Sequence, residues 1–427
     1  MQTASKKVIN SWAIYDWANS AYSLIITSAI FPAYYTFIAP PQVHFIGRTF
    51  ERTALASYAI SFSFLIIAIL SPILSSIADY KGNKKNFMQF FCYLGSAACI
   101  SLTFLTEENI SFGIVCAIFG SIGFCGSIVF YNAYLPEIAA EEDQDRVSAK
   151  GFAMGYIGSV LLMIVCLTAI MLNDSMKLGW GAWPTRLSFL AVGLWWAGFA
   201  QITFRNLPPS IPSKQVPQRS IFTNGFYELR KVWQQLKTYP VTKRFLTSFF
   251  FYNMGVQTVM YMATYFASGE LKLTSAQLII TVLIIQLVAI GGALLFSRLS
   301  QRTNNIFTLG VIIIIWICIC FFASIVSTVM QFYALAFAVG MVMGGIQSLS
   351  RSTYSKLLPP TKDTASYFSF YDVCDKVGTV IGTLSFGFVS EFLGGMRNSV
   401  LAIMVYFIIG GVLLLFVDRK GKIIAVA

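Results

Sequence analysis

Windows of about 20 consecutive apolar residues recur along the chain, the length a helix needs to cross a hydrocarbon core about 30 Å thick. Twelve such windows start near residues 12, 54, 86, 111, 150, 186, 244, 276, 306, 330, 367 and 397. In lipid, backbone polar groups must be satisfied within the protein, so each window is expected to be a helix. The balance of residues points the same way. Hydrophobic residues make up 56% and charged residues only 11% of the 427, with a mean hydropathy of +0.70. A soluble domain carries about 25% charged residues. The expectation is an all-α, multi-pass membrane protein in contact with a lipid bilayer.

Lys and Arg in short loops decide which side of the membrane a loop occupies. Assigned alternately from an inside N-terminus, the inside segments hold 23 basic residues and the outside loops six, Arg48, Arg52, Lys177, Arg186, Lys272 and Arg397. The thirtieth, Lys376, falls within the eleventh window. Both termini are therefore expected in the cytoplasm. The net charge of +12 reads as a topology signal, and no nucleic-acid partner is expected.

The eight cysteines, Cys92, Cys99, Cys116, Cys125, Cys166, Cys318, Cys320 and Cys374, lie in apolar windows without CxxC spacing, so small buried hydrophobes are expected rather than disulfides or metal ligands. His44 is the only histidine and falls in the first outside loop, which removes His-based metal or catalytic sites. No GxxxxGK[ST] sequence occurs, so ATP is not the direct energy source. Neither cofactor nor metal is expected, and the chain does not read as an enzyme. Lys6 and Lys7 precede a span longer than a signal-peptide core, so secretory cleavage is not expected.

Residues 206–243 form the one long inside connection, opening with Leu207-Pro-Pro-Ser-Ile-Pro212 and ending at Tyr239-Pro240. This divides the chain into a six-helix bundle at 1–205, a cytoplasmic linker at 206–243 and a second bundle at 244–427. Within the linker Phe222, Phe226, Leu229, Trp233 and Leu236 recur at helical spacing beside Arg230, Lys231 and Lys237, which predicts a basic amphipathic helix on the inner leaflet. The halves look duplicated. Asp79 in the segment from Ser75 to Gly82 aligns with Gln301 in the segment from Ser297 to Asn304, Pro136 with Pro359, Gly155 with Gly378, and Tyr15-Asp16 with Tyr252-Asn253. Two six-span repeats are the signature of a transporter with its site at the repeat interface.

Asp79-Tyr-Lys-Gly-Asn-Lys-Lys85 resembles the loop between helices two and three of the major facilitator superfamily, with Tyr80 where an Arg usually follows the Asp. A more specific resemblance, to the vacuolar amino-acid effluxers and their bacterial relatives within that superfamily, runs over nearly the whole chain. It rests on Trp12-Ala-Ile-Tyr-Asp-Trp-Ala-Asn-Ser-Ala21, on Tyr131-Asn-Ala-Tyr-Leu-Pro-Glu-Ile138 with Arg146-Val-Ser148 and Gly155-Tyr156, on Tyr252-Asn253 with Gln257-Thr-Val-Met-Tyr-Met262, and on Gln347-Ser-Leu-Ser-Arg-Ser352. The resemblance implies the major facilitator fold and amino-acid export. Where the family pattern places an acid after Tyr-Asn in helix seven, this chain has Met254, and Asp372 and Asp375 look additional.

Charges and amides within apolar spans are costly and mark candidate sites, about 2.5 kcal/mol or more for an Asp at mid-helix. Asp16, Asn19, Ser23 and Thr27 follow one helical stripe with Tyr22 beside it, and Asn253, Gln257, Tyr261 and Thr264 repeat it in helix seven. The two stripes are expected to face a central cavity. Asp16 sits only about 7 Å inside the inner surface, which favours gating or proton acceptance over midplane substrate contact. Helix eleven carries Tyr371, Asp372, Asp375, Lys376 and Thr379, with Lys376 about 13 Å deep by helical rise. Asp372 and Lys376, at i and i+4, can pair; the pair is either structural or a cationic anchor for a substrate carboxylate, released when an Asp protonates. Tyr156 joins the substrate and coupling candidates through the resemblance. Asp79, Gly82, Lys84, Glu137, Arg146 and Arg351 are candidate gating residues.

The sequence thus predicts a secondary active transporter of a small polar organic solute, monomeric, working by alternating access. Amino-acid export with proton coupling is the first expectation. A transporter of another solute in either direction (a peptide, a carboxylate or a metal-chelating metabolite) stays open, as does a non-transporting receptor on the same fold. The expected location is the inner membrane, or a vacuolar-type membrane in a eukaryote.

Overall fold

The computed structural model describes residues 2–177, 179–210, 212, 221–392 and 395–417. Helix dominates it. In the first half α1 (Lys6–Ala21) passes through a π-helical stretch (Tyr22–Ala29) into α2 (Ile30–Ile38), followed by α3 (Arg52–Lys81), α4 (Lys84–Leu102), α5 (Ile110–Ala133), the short α6 (Leu135–Ile138), α7 (Gln144–Met176) and α8 (Trp183–Asn206). The second half holds α9 (Ile221–Thr238), α10 (Pro240–Glu270), α11 (Ser275–Arg302), α12 (Asn305–Ile325), α13 (Val329–Lys356), α14 (Thr364–Phe392) and α15 (Met396–Leu415). The starts are written in the sequence. Ser5 and Asn304 cap α1 and α12 with their side chains, Thr274–Gln277 and Thr328–Gln331 form capping boxes, and Pro184 and Pro240 stand in first turns, where a missing N–H costs nothing.

Ten helical stretches among the described residues are long and apolar enough to cross a membrane. The outward surface agrees: Phe62, Phe119, Ile314, Phe321, Leu384 and Phe388 are all more than a third exposed, Phe388 by 60%. Against water such a surface would be unfavourable by about 25 cal/mol per Å²; against lipid tails it is not. The protein is a multi-pass membrane protein. α4 and α10 coincide with the windows expected near 86 and 244 but are richer in polar side chains.

Internal contacts group the chain into two compact units, one comprising Ala4–Tyr134 and Met154–Gly225, the other Met1–Thr3, Leu135–Ala153 and Phe226–Ala427. The turn after α5 and the first turns of α7 thus pack with second-half helices, although they lie in the first half of the sequence. In the first unit α1 lies against α8, and α5 against α3 and α4. α1 also crosses α7 closely, where a Cβ at Gly158 would stand 2.6 Å from the Trp17 carbonyl oxygen. In the second unit α11 pairs with α13, and α10 packs on α14 and α15.

Three local features depart from the sequence reading. The regular helix of the first span ends at Ala21, and in the π-helical stretch the Ser28 hydroxyl reaches the carbonyl of Ser23. Its wider turn departs from the 3.6-residue periodicity that draws one stripe through Asp16, Asn19, Ser23 and Thr27. The loop after α2 holds an antiparallel hairpin, β1 (Gln42–Phe45) and β2 (Arg48–Glu51), pairing Val43 with Phe50 and turning at Ile46-Gly47, both with positive φ. At its end the Thr53 hydroxyl and Ala54 amide hold the Glu51 carboxyl below the usual carboxylate range. Third, α9 docks on the start of α14. Val232 and Leu236 are buried while Trp233 is about half exposed, the Tyr367 hydroxyl donates to Gln235 at 2.8 Å, and Lys231 lies 3.6 Å from Asp363. The side chains of Phe222, Phe226 and Leu229, with Lys214, Arg219, Arg419, Lys420 and Lys422, lie outside the described residues. Six of the eight cysteines are buried, whereas Cys318 is exposed and Cys374 half-buried.

Gly82 ends α3 in the left-handed region at φ +64°, and a Cβ there would meet the Ser210 carbonyl oxygen at 2.7 Å and the Pro212 ring at 2.8 Å. Gly198, on α8, has open space around it. Gly82→Val is expected to lower the unfolding midpoint in detergent, corresponding to at least about 1–2 kcal/mol, whereas Gly198→Ala should leave it unchanged or raise it by about 0.5–1 kcal/mol. Equal midpoints for Gly82→Val and the native chain would contradict this account of the turn.

Candidate functional site

The middle of α14 carries three ionisable side chains within one turn. Lys376 stands 2.6 Å from Asp375 Oδ2 and 3.3 Å from Asp372 Oδ1. α10 supplies the remaining partners: Asn253 Nδ2 and Gln257 Nε2 donate to Asp375 Oδ1 at 2.6 and 2.8 Å. The expected i, i+4 pair is present, and a second carboxylate has joined it. Lys376 is therefore already engaged by two acids, and with all three groups ionised the cluster has a formal charge of −1. Around it the Tyr371 ring stacks on Phe249 at 4.1 Å and on Tyr354 at 4.9 Å. Tyr261, one turn beyond Gln257 on α10, is half-buried.

The first unit holds the other intramembrane acid. Asp16 is 5% exposed and accepts a 2.7 Å hydrogen bond from the Tyr131 hydroxyl on α5. Tyr131 is fixed in turn by Trp12, whose indole N–H donates to its carbonyl at 3.0 Å and whose ring stacks on it at 4.4 Å. Asn19 is fully buried one turn on. The Tyr22 hydroxyl lies 3.0 Å from that of Ser121, and Tyr156 is buried on α7.

The two halves reuse this aromatic frame. By the register that aligns Tyr15-Asp16 with Tyr252-Asn253, Trp12 corresponds to Phe249; by the register that aligns Gly155 with Gly378, Ser127 and Tyr131 correspond to Ser350 and Tyr354. The Tyr252 hydroxyl is 2.7 Å from that of Ser350, and the Tyr354 hydroxyl donates to the carbonyl of Tyr367 at 2.7 Å. The hydrogen-bond partners and the charges differ. Asn253 replaces Asp16, while Asp372, Asp375 and Lys376 stand where the first copy has Ala149, Phe152 and Ala153.

The candidate gating residues fall into separate places. In the first unit Lys84 is fully buried and 3.0 Å from Asp79, and Lys85 donates to the carbonyls of Phe204 and Leu207 at the end of α8. In the second unit Arg351 donates to the hydroxyl and carbonyl of Ser148 at 2.9 and 2.8 Å and covers the Phe152 ring at 4.2 Å. Glu137 accepts from the Thr364 hydroxyl at 2.8 Å. Arg146 lies on the exposed side of α7 with Asp143, 2.7 Å away. The neighbouring Asp145, which the sequence reading passed over, is buried and accepts from Lys356 at 2.7 Å, Asn305 at 2.7 Å and Ser300 at 2.9 Å. Its spacing was the available signal: Asp145 and Ser148, at i and i+3, share a helical face that Arg146 does not.

Among the described residues no three His, Cys, Asp or Glu side chains converge as metal ligands would.

The family model described as vacuole effluxer Atg22 like matches residues 4–425. An uncharacterised MFS-type transporter of Bacillus subtilis, YxiO, is 34% identical over 413 residues, which cover 96% of this chain and 95% of that one. Among solved structures, the human organic anion transporter MFSD10 superposes with a TM-score of 0.72 at 11% identity, covering 96% of this chain and 99% of that one. The Escherichia coli fucose:proton symporter FucP does so with 0.70 at 15%, covering 97% and 98%. The fold is that of the major facilitator superfamily, whose members are transporters and not enzymes, and the chain belongs to its Atg22-like family of secondary transporters.

Proposed function

We propose that this transporter exports a small polar organic solute, amino acids first, by alternating access coupled to protons. The observation that carries the reading is the Asp372–Lys376–Asp375 cluster in the middle of a membrane-crossing helix. Ionisable groups at that depth are costly and are retained for ion or substrate handling. Protonation of either acid would loosen Lys376, so proton and solute can compete for the same charges. Asp16, held by Tyr131, is the second proton-accepting candidate, and Asn19, Tyr22 and Tyr156 are solute-contact candidates in the same half. Asn253, Gln257 and Tyr261 are the solute-contact candidates of the other half. Export is supported by the family description, which names an effluxer.

The topology that fits this reading has twelve spans in two bundles, α4 and α10 included, with both termini in the cytoplasm, a monomeric protein and an inner or vacuolar-type membrane. On that topology the Asp145–Lys356 and Arg351–Ser148 contacts, Glu137 and the Asp79–Lys84 pair at the Gly82 turn lie on the cytoplasmic side. There they stabilise one gating state.

Proteoliposomes loaded with labelled amino acids should release them faster under an imposed pH gradient, and the variant Asp16→Asn, Asp372→Asn, Asp375→Asn should lose that response. Release indifferent both to the gradient and to these substitutions would rule out proton coupling. For the gating contacts, Asp145→Leu leaves Lys356 without its buried acid and should cost about 3–5 kcal/mol. Arg146→Leu, at a surface pair, should cost about 1 kcal/mol or less. Equal unfolding midpoints for the two variants would show that Asp145 does no more than Arg146.

A further inference from the structure

The α14 cluster lacks one positive charge, and the structure shows where it is lacking. Asp375 is saturated: Oδ1 takes the Asn253 and Gln257 amides and Oδ2 takes Lys376. Lys376 also reaches Asp372 Oδ1. The other oxygen of that carboxylate, Asp372 Oδ2, is buried with no hydrogen-bond partner, on a residue only 6% exposed. A buried carboxylate oxygen without a donor is unfavourable, by about 1–3 kcal/mol or more for a charged group. With all three groups ionised, the cluster as a whole is a monoanion in a helix that crosses hydrocarbon.

Both facts call for one cationic donor at one oxygen. We infer that Asp372 Oδ2 is the docking point for an ammonium group of the transported solute, so that the site selects amines and zwitterions and rejects plain carboxylates. A plain carboxylate would have to displace Asp372 or Asp375 from Lys376 while adding a negative charge to an already anionic cluster. An ammonium supplies the missing donor and neutralises the cluster in the same step. A zwitterion is accepted as well, because its ammonium on Asp372 offsets the charge that its carboxylate brings. The half-buried ring of Tyr371, next to Asp372 in the chain and backed by Phe249 and Tyr354, suits an apolar body behind the charged end.

This inference rests on the reading of the α14 cluster as the solute site. It is tested with three probes that share a ring and differ in charge: phenethylamine, phenylalanine and 3-phenylpropionate. Binding to the purified protein is read by thermal shift and by calorimetry. Phenethylamine and phenylalanine should bind and 3-phenylpropionate should not. Asp372→Asn should weaken phenethylamine about tenfold to a hundredfold, the worth of one charge-assisted hydrogen bond, and Asp372→Glu should restore part of the affinity. Both variants' unfolding midpoints without ligand show whether they fold. Binding of 3-phenylpropionate in preference to the amine, or amine binding unchanged in Asp372→Asn, overturns the ammonium assignment and leaves the transporter reading standing. If no probe binds, and proteoliposomes exchange no labelled amino acid, both fall.

Discussion

A charge buried among packed helices is cut off from water and must find its counterpart inside the protein, and this constraint shapes how the helices meet. Asp16 is held by the Tyr131 hydroxyl from a distant helix. Lys84 is fully buried and pairs with Asp79 3.0 Å away. Asp145 draws Lys356, Asn305 and Ser300 onto the start of α7. Apolar packing between helices is weakly specific in lipid, since lipid tails are as apolar as leucine. Small residues at crossings such as Gly158 against Trp17, and polar contacts such as these, therefore decide which helix faces meet.

Setting the two halves side by side makes the cost of charge visible by comparison. The same aromatic and hydroxyl frame recurs, Trp12, Tyr15, Ser127 and Tyr131 in one half and Phe249, Tyr252, Ser350 and Tyr354 in the other. Within it the charge has moved. The first copy keeps one acid on its opening helix; the second has an amide there, Asn253, and two acids and a lysine on α14.

Much of this was legible in the sequence. The length and spacing of apolar windows marked the helices, because hydrophobic thickness fixes helix length, and the i, i+4 spacing of Asp372 and Lys376 announced their pairing. The closing of Asp375 onto the same lysine was not legible, since it depends on Asn253 and Gln257 from a helix more than a hundred residues earlier. Asp145 was passed over in favour of Arg146, although its i, i+3 spacing with Ser148 marked a shared helical face; its partners Lys356, Asn305 and Ser300 come from distant helices and were not legible. The π-helical stretch escaped because periodicity analysis assumes 3.6 residues per turn. The docking of α9 escaped because a stripe drawn for a lipid surface does not reveal that Val232 and Leu236 find protein instead.

The central claim is that the α14 charges are kept for transport and not for stability. Buried ion pairs are weak stabilisers, and neutral replacements of similar shape are commonly tolerated. The direct measurement is solute exchange in proteoliposomes by the neutral variant Asp372→Asn, Asp375→Asn, Lys376→Gln, with its unfolding midpoint taken alongside. The account predicts a midpoint no lower than that of the native chain and no exchange. Exchange at the native rate, or a protein that no longer folds, would contradict it.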